Sequence, residues 1–164
     1  AQSILFVTFL LFRAPLTVSY SLIARVLPPF TLLAERGDRA ALHRWALRIG
    51  AGALALGAAA YGVGLVLGAD VVAWMFGAEF RPDARMAALA AAGSTIATVV
   101  LFEQQMLIAM RATRRMAVAW LIALAVAVVA IIPDGAEVTI RVSRAFVAGE
   151  VAALLGLTAA ILRS

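Results

Sequence analysis

The stretch "WALRIGAGALALGAAAYGVGLVLG", residues 45–68, decides what kind of molecule this is. It exceeds the ~20 apolar residues that a bilayer crossing needs, and its one charge, Arg48, stands near its start. Gly50, Gly57 and Gly64 recur in it every seven residues, and Gly64 with Gly68 brackets "GLVLG". Small residues at that spacing let helix backbones approach closely in lipid, where packing rather than water drives association. The stretch therefore reads as a transmembrane helix with one face against another helix.

The rest of the chain agrees. Hydrophobic residues make up 65% of 164 and charged residues 14%, against about 45–50% and about 25% in soluble domains. Mean hydropathy is +1.02. These values predict an all-α, polytopic transmembrane helical bundle in a single domain. There are no cysteines, which excludes disulfides and thiolate metal sites, and His43 is the only histidine. No P-loop, GxGxxG, GxSxG or HExxH motif is present, nor the paired aspartates of a metal–sugar-nucleotide site. No catalytic residue, metal ligand or cofactor site is expected, and the chain does not read as an enzyme. All fourteen basic residues are Arg, and Lys and Asn are absent, the usage of a GC-rich bacterial genome. The net charge of +5 fits basic loops facing anionic lipid and the cytoplasm, not nucleic acid.

Five apolar segments are expected to span, at about 3–34, 45–68, 84–110, 116–132 and 138–162. The first is longer than one crossing, so it should tilt, kink at Pro15 or continue past the bilayer. Arg36, Arg39 and Arg44 crowd the first connection, and Arg111, Arg114 and Arg115 the third. The second connection, "GADVVAWMFGAEFRPDAR", mixes Asp70, Glu79 and Asp83 with arginines, and the fourth carries Asp134 and Glu137. This alternation places the N-terminus outside and the C-terminus inside a multi-pass cytoplasmic-membrane protein. Trp45, Trp74 and Trp120 read as interfacial anchors. The chain opens inside an apolar run without Met or a basic n-region. It reads as a fragment whose natural N-terminus lies upstream, not as a signal peptide.

Charges at membrane depth are the remaining chemistry. Arg13, Arg25, Glu103, Arg144 and Glu150 fall inside expected spans, where an ionised side chain costs about 2.5–3.5 kcal/mol at helix centre. Counting residues places Arg13 and Glu150 near the midplane and Arg25 and Glu103 toward the cytoplasmic side. Two acid–base layers are expected, serving either as ion pairs that hold helices together or as substrate-binding groups. Arg144 lies close enough to the outer surface to snorkel. Gln104 and Gln105 fit interhelical packing or a polar path.

Three landmarks then carry a resemblance. "RVLPPFTLLAERGD" (25–38), "VVAWMFGAEFRPDA" (71–84) and "FEQQMLIAMRATRRMAVAW" (102–120) resemble, in the same order, helix ends and loops of bacterial polysaccharide and lipid-linked oligosaccharide flippases. These belong to the multidrug/oligosaccharidyl-lipid/polysaccharide exporter superfamily. The resemblance covers roughly residues 1–125; the remainder is similar only in hydropathy. It implies two six-helix lobes around a cavity that works by alternating access. This chain would supply most of the second lobe of such a MATE-like fold, with the missing N-terminal lobe as its partner. It also implies cavity arginines that hold a lipid-linked sugar pyrophosphate, a role open to Arg13, with Arg25, Glu103 and Glu150 as further substrate-binding candidates. The alternatives are a cation-coupled multidrug exporter of the same superfamily, a membrane-embedded polysaccharide polymerase or ligase, and a purely structural subunit. The polymerase or ligase needs a larger outer loop than the sequence offers.

Overall fold

A computed structural model describes the backbone of residues 2–132, 135 and 137–164, and the side chains of these except 2, 15–24 and 26. Asp134, assigned above to the last connection, lies outside the described residues. The described chain is an all-α polytopic membrane bundle of six α-helices: α1 (Gln2–Glu35), α2 (Arg39–Val63), α3 (Ala69–Phe76), α4 (Ala84–Ala109), α5 (Thr113–Ala130) and α6 (Val138–Leu162). Four described stretches are long and apolar enough to cross a bilayer: Arg39–Phe76, Ala84–Ala109, Thr113–Ala130 and Val138–Leu162. The first helix is continuous over 34 residues, about 51 Å at 1.5 Å per residue. Its helical assignment runs through Pro15, Pro28 and Pro29. Of the five segments expected to span, this first one is not among those four, and its apolar part among the described residues is the shorter stretch Ser3–Ala14.

Local chemistry sets the turns. The "ERGD" sequence stops one helix and starts the next. Gly37 adopts φ +68°, a conformation that costs a side-chain-bearing residue dearly. Its N–H donates to Ala34 O at 3.1 Å, and Asp38 N–H donates to Leu33 O at 3.1 Å, closing the last carbonyls of α1. The Asp38 side chain then accepts from Ala41 N at 2.9 Å, capping α2. Asp83 does the same for α4, accepting from Arg85 N at 2.8 Å and Met86 N at 3.3 Å.

The second span differs from its expected limits. It begins at Arg39 instead of Trp45, because the Asp38 cap permits an earlier start and Arg39, Arg44 and Arg48 stay exposed. It also does not end at Gly68. A π-helical turn over Gly64–Gly68 leads into α3, so "ADVVAWMF" is helix where a loop was expected. Gly77, at φ +108°, ends it. Beyond it, exposed Arg81 pairs with exposed Asp70 across the connection.

At the centre lies α4. It packs against α1, α2 and α6, and α5 lies against α6 at the periphery. Ala87, Ala88, Ala90, Ala91, Ala92 and Gly93 are buried, and such small side chains let three neighbours approach one helix. The glycine stripe of residues 45–68 meets it. A Cβ on Gly57 would lie 2.8 Å from Ile96 Cγ1, on Gly64 2.8 Å from Ala88 Cα, and on Gly68 2.8 Å from Ala87 Cβ. Gly52 and Gly62, off the stripe, have nothing within 4 Å. Two threonine hydroxyls of α4 are satisfied locally, Thr95 Oγ1 donating to Ala91 O and Thr98 Oγ1 to Ser94 O, each at 2.8 Å, whereas the buried Ser94 Oγ meets no partner among the described residues.

The two ends of the bundle are chemically distinct. Gly37, Arg39, Arg111, Arg114, Arg115 and Ser164 border one hollow, so both Arg-rich connections and the C-terminus share an end. Ile4, Arg81, Asp83 and Glu137 border a small hollow at the other. Alternation of the loops in sequence has become separation in space.

Candidate functional site

Arg13 sits one turn after Phe9 on α1, and its guanidinium carbon lies 5.3 Å from the centroid of the Phe146 ring on α6. That is within cation–π range. Phe9 supports the same ring edge-on, with centroids 5.1 Å apart and planes at 75°. On its α4 side the ring leans on Gly93, where a Cβ would come 2.5 Å from Phe146 Cε1. Three helices thus fix one ring, and the ring fixes Arg13. The arginine itself remains exposed.

Glu150 stands one turn beyond Phe146 on α6 and is half-buried. Arg13 is the charge that acts on it, although the two do not close to a direct ion pair. Among the described residues the ion pair within 4.0 Å is Arg81–Asp70. Arg13 therefore lies over Phe146, with Glu150 one turn further along α6. Among the described residues the Arg13 guanidinium meets the Phe146 ring and forms no ion pair.

The inner layer is not formed as expected. Glu103 is fully buried on α4 at 0% exposure, but its partner is Thr158 on α6, whose hydroxyl donates at 2.8 Å to one carboxyl oxygen and lies 3.0 Å from the other. The same hydroxyl is 2.8 Å from Leu154 O. One hydroxyl hydrogen cannot serve three acceptors, so the carboxyl retains hydrogen-bonding capacity. Gly50 of α2 closes the third side, with its Cβ position 3.5 Å from Glu103 Oε1. Arg25 is exposed and instead borders an apolar groove of about 500 Å³ with Phe30, Trp45, Ile49 and Phe102. The residue count placed Arg25 and Glu103 at one depth; the helix rotations turned them to different sides.

Gln105 is buried in α4 and Gln104 half-buried beside it. Arg144 is half-buried on α6. The residues that position the charges, Phe9, Gly93, Phe146 and Thr158, escaped the sequence reading. Phe146 lies one helical turn before Glu150, and that i, i+4 spacing was the one available signal.

The chain matches no protein-family model, and no curated protein or solved structure matches it.

Proposed function

We propose that this bundle is part of a transporter that carries a lipid-linked oligosaccharide or polysaccharide precursor across the cytoplasmic membrane by alternating access. The observation that carries the reading is Arg13, an exposed arginine in an apolar helix, held over the Phe146 ring and in no ion pair among the described residues. A guanidinium at membrane depth is expensive unless it compensates another charge. Its planar, permanently charged fork matches the oxygens of a diphosphate headgroup, which cannot enter hydrocarbon unaided. Glu150 serves this reading as the charge that balances Arg13 between substrates.

The test is export of surface polysaccharide in cells carrying the full-length protein. Arg13→Ala should abolish export while membrane levels stay near normal, and Arg13→Lys should rescue partly, keeping the charge and losing the fork. If Arg13 only balances Glu150, then Arg13→Leu with Glu150→Leu restores both protein level and export, and that recovery refutes the substrate role.

A second reading, a cation-coupled exporter of small molecules, is favoured by Glu103. It is a fully buried carboxylate whose partner is a hydroxyl and not an arginine, an arrangement that leaves room for a proton or a metal cation. Under that reading Glu103→Gln abolishes transport and Arg13→Ala spares it.

A further inference from the structure

The basic end of the bundle holds a groove that the transport reading leaves unused. It lies between α5 and α6, with a volume of about 620 Å³. Arg114, Arg115 and Arg163 stand at its mouth, and Val118, Ile122 and Ala160 lie along it. All three arginines are exposed, as are Val118 and Ile122. From Arg115 to Ile122 the helix descends about 10 Å. Charge at the interface and apolar surface below it repeat the profile of an anionic phospholipid: phosphate at headgroup level, acyl chain beneath.

Arg111 bears on the same end. It holds φ +55° at the end of α4, where helices normally place glycine or asparagine. A cation is kept there despite the conformational cost of a non-glycine residue in that region. Arg111 shares with Arg114 and Arg115 a second hollow of about 550 Å³, which Arg39 also borders. Loop arginines alone satisfy the positive-inside bias, and a solvated loop has no use for an apolar trough leading from them into the bilayer.

We infer that the α5–α6 groove is a binding site for one anionic phospholipid of the cytoplasmic leaflet, with its phosphate on Arg114, Arg115 and Arg163 and an acyl chain along Val118 and Ile122. The site requires only that the bundle spans a membrane with this end at the cytoplasmic face, so it stands apart from the transport reading. Its occupant is a bilayer lipid, bound at the rim of the bundle and not carried through it.

The test is native mass spectrometry of the full chain in detergent with equal amounts of phosphatidylglycerol and phosphatidylcholine of identical acyl chains. Phosphatidylglycerol should be retained preferentially. The variant Arg114→Gln/Arg115→Gln/Arg163→Gln should reduce its retention about tenfold or more, since each surface arginine contributes about 1 kcal/mol toward anionic lipid. Arg36→Gln/Arg44→Gln/Arg48→Gln, the same charge change outside the groove, should retain it. Ala160→Phe, which fills the trough without touching a charge, should also lower retention, with size-exclusion profiles reporting that each variant is folded. Equal loss in the two triple variants would overturn the site in favour of general surface charge. Displacement of the lipid by millimolar inorganic phosphate would reduce the groove to an anion site and overturn the lipid assignment.

Discussion

Gly64→Ala tests the packing at the centre of the bundle with a single methyl group. The new Cβ would sit 2.8 Å from Ala88 Cα, 3.0 Å from Ala91 Cβ and 3.1 Å from Ala87 O. Two of those three atoms are backbone, so no rotamer change relieves the contact. The shortest falls roughly 0.6 Å below the onset of ordinary van der Waals contact, so the helices must part or the π turn must shift, a strain that costs about 1–3 kcal/mol. Gly62→Ala is the internal standard. Its Cβ meets nothing within 4 Å, and it gains the same helix propensity, at most about 1 kcal/mol. Propensity cancels between the two variants, so their difference isolates the clash at about 1–3 kcal/mol. Reversible unfolding in mixed detergent micelles, followed by circular dichroism, measures that difference. Agreement of the two variants within about 0.5 kcal/mol, the usual scatter of a neutral surface change, would refute the close approach of the Gly64–Gly68 turn to α4. Gly57 gives a graded comparison, because its obstacle is the Ile96 side chain, and a side chain yields more readily than a backbone.

Further outcomes follow from the same geometry. Single cysteines at Glu79 and Glu137 should label from outside the cell, and those at Arg39 and Arg114 should not; outside labelling at position 114 would sink the orientation. Thr158→Val removes the described hydroxyl that meets Glu103 and should destabilise the bundle by about 1–3 kcal/mol. Glu103→Gln keeps a group able to bond Thr158 and should fold normally, so comparable thermal losses in both variants would contradict the pairing. Gly93→Ala brings a methyl within 2.5 Å of Phe146 Cε1, and should lower export with Arg13 intact. Unchanged export in that variant would show that the ring does not position Arg13.

The architecture was legible because its signals are long and redundant. A run such as residues 45–68 cannot be read two ways once composition excludes water, and the Arg-rich connections expected on one side do share one end of the bundle. The glycine stripe was legible for a related reason, since in lipid only packing rewards small residues at a fixed interval. What failed were boundaries set by a few hydrogen bonds. Asp38 starts its helix early because it caps Ala41 N, and residues 69–76 stay helical because the π turn at Gly64–Gly68 continues the chain into α3. Neither event changes mean hydropathy, so a hydropathy reading had no access to it.

The charges separate depth from direction. Counting residues gives depth, because every helical residue rises by a constant 1.5 Å, and on that measure both acid–base layers were plausible. Direction depends on how each helix is rotated about its axis, and in lipid that is fixed by packing partners. Arg13 meets α6 because Gly93 admits the Phe146 ring, and the guanidinium lies over that ring one turn before Glu150. Gly50 and Thr158 instead turn Glu103 into the junction of α2, α4 and α6, while Arg25 faces the groove beside Trp45. An arginine left over phenylalanine and a carboxylate left on threonine are unlike ordinary structural ion pairs, which satisfy each other and leave neither charge available. Among the described residues neither Arg13 nor Glu103 closes such a pair, and that is the observation from which the proposed transport role starts.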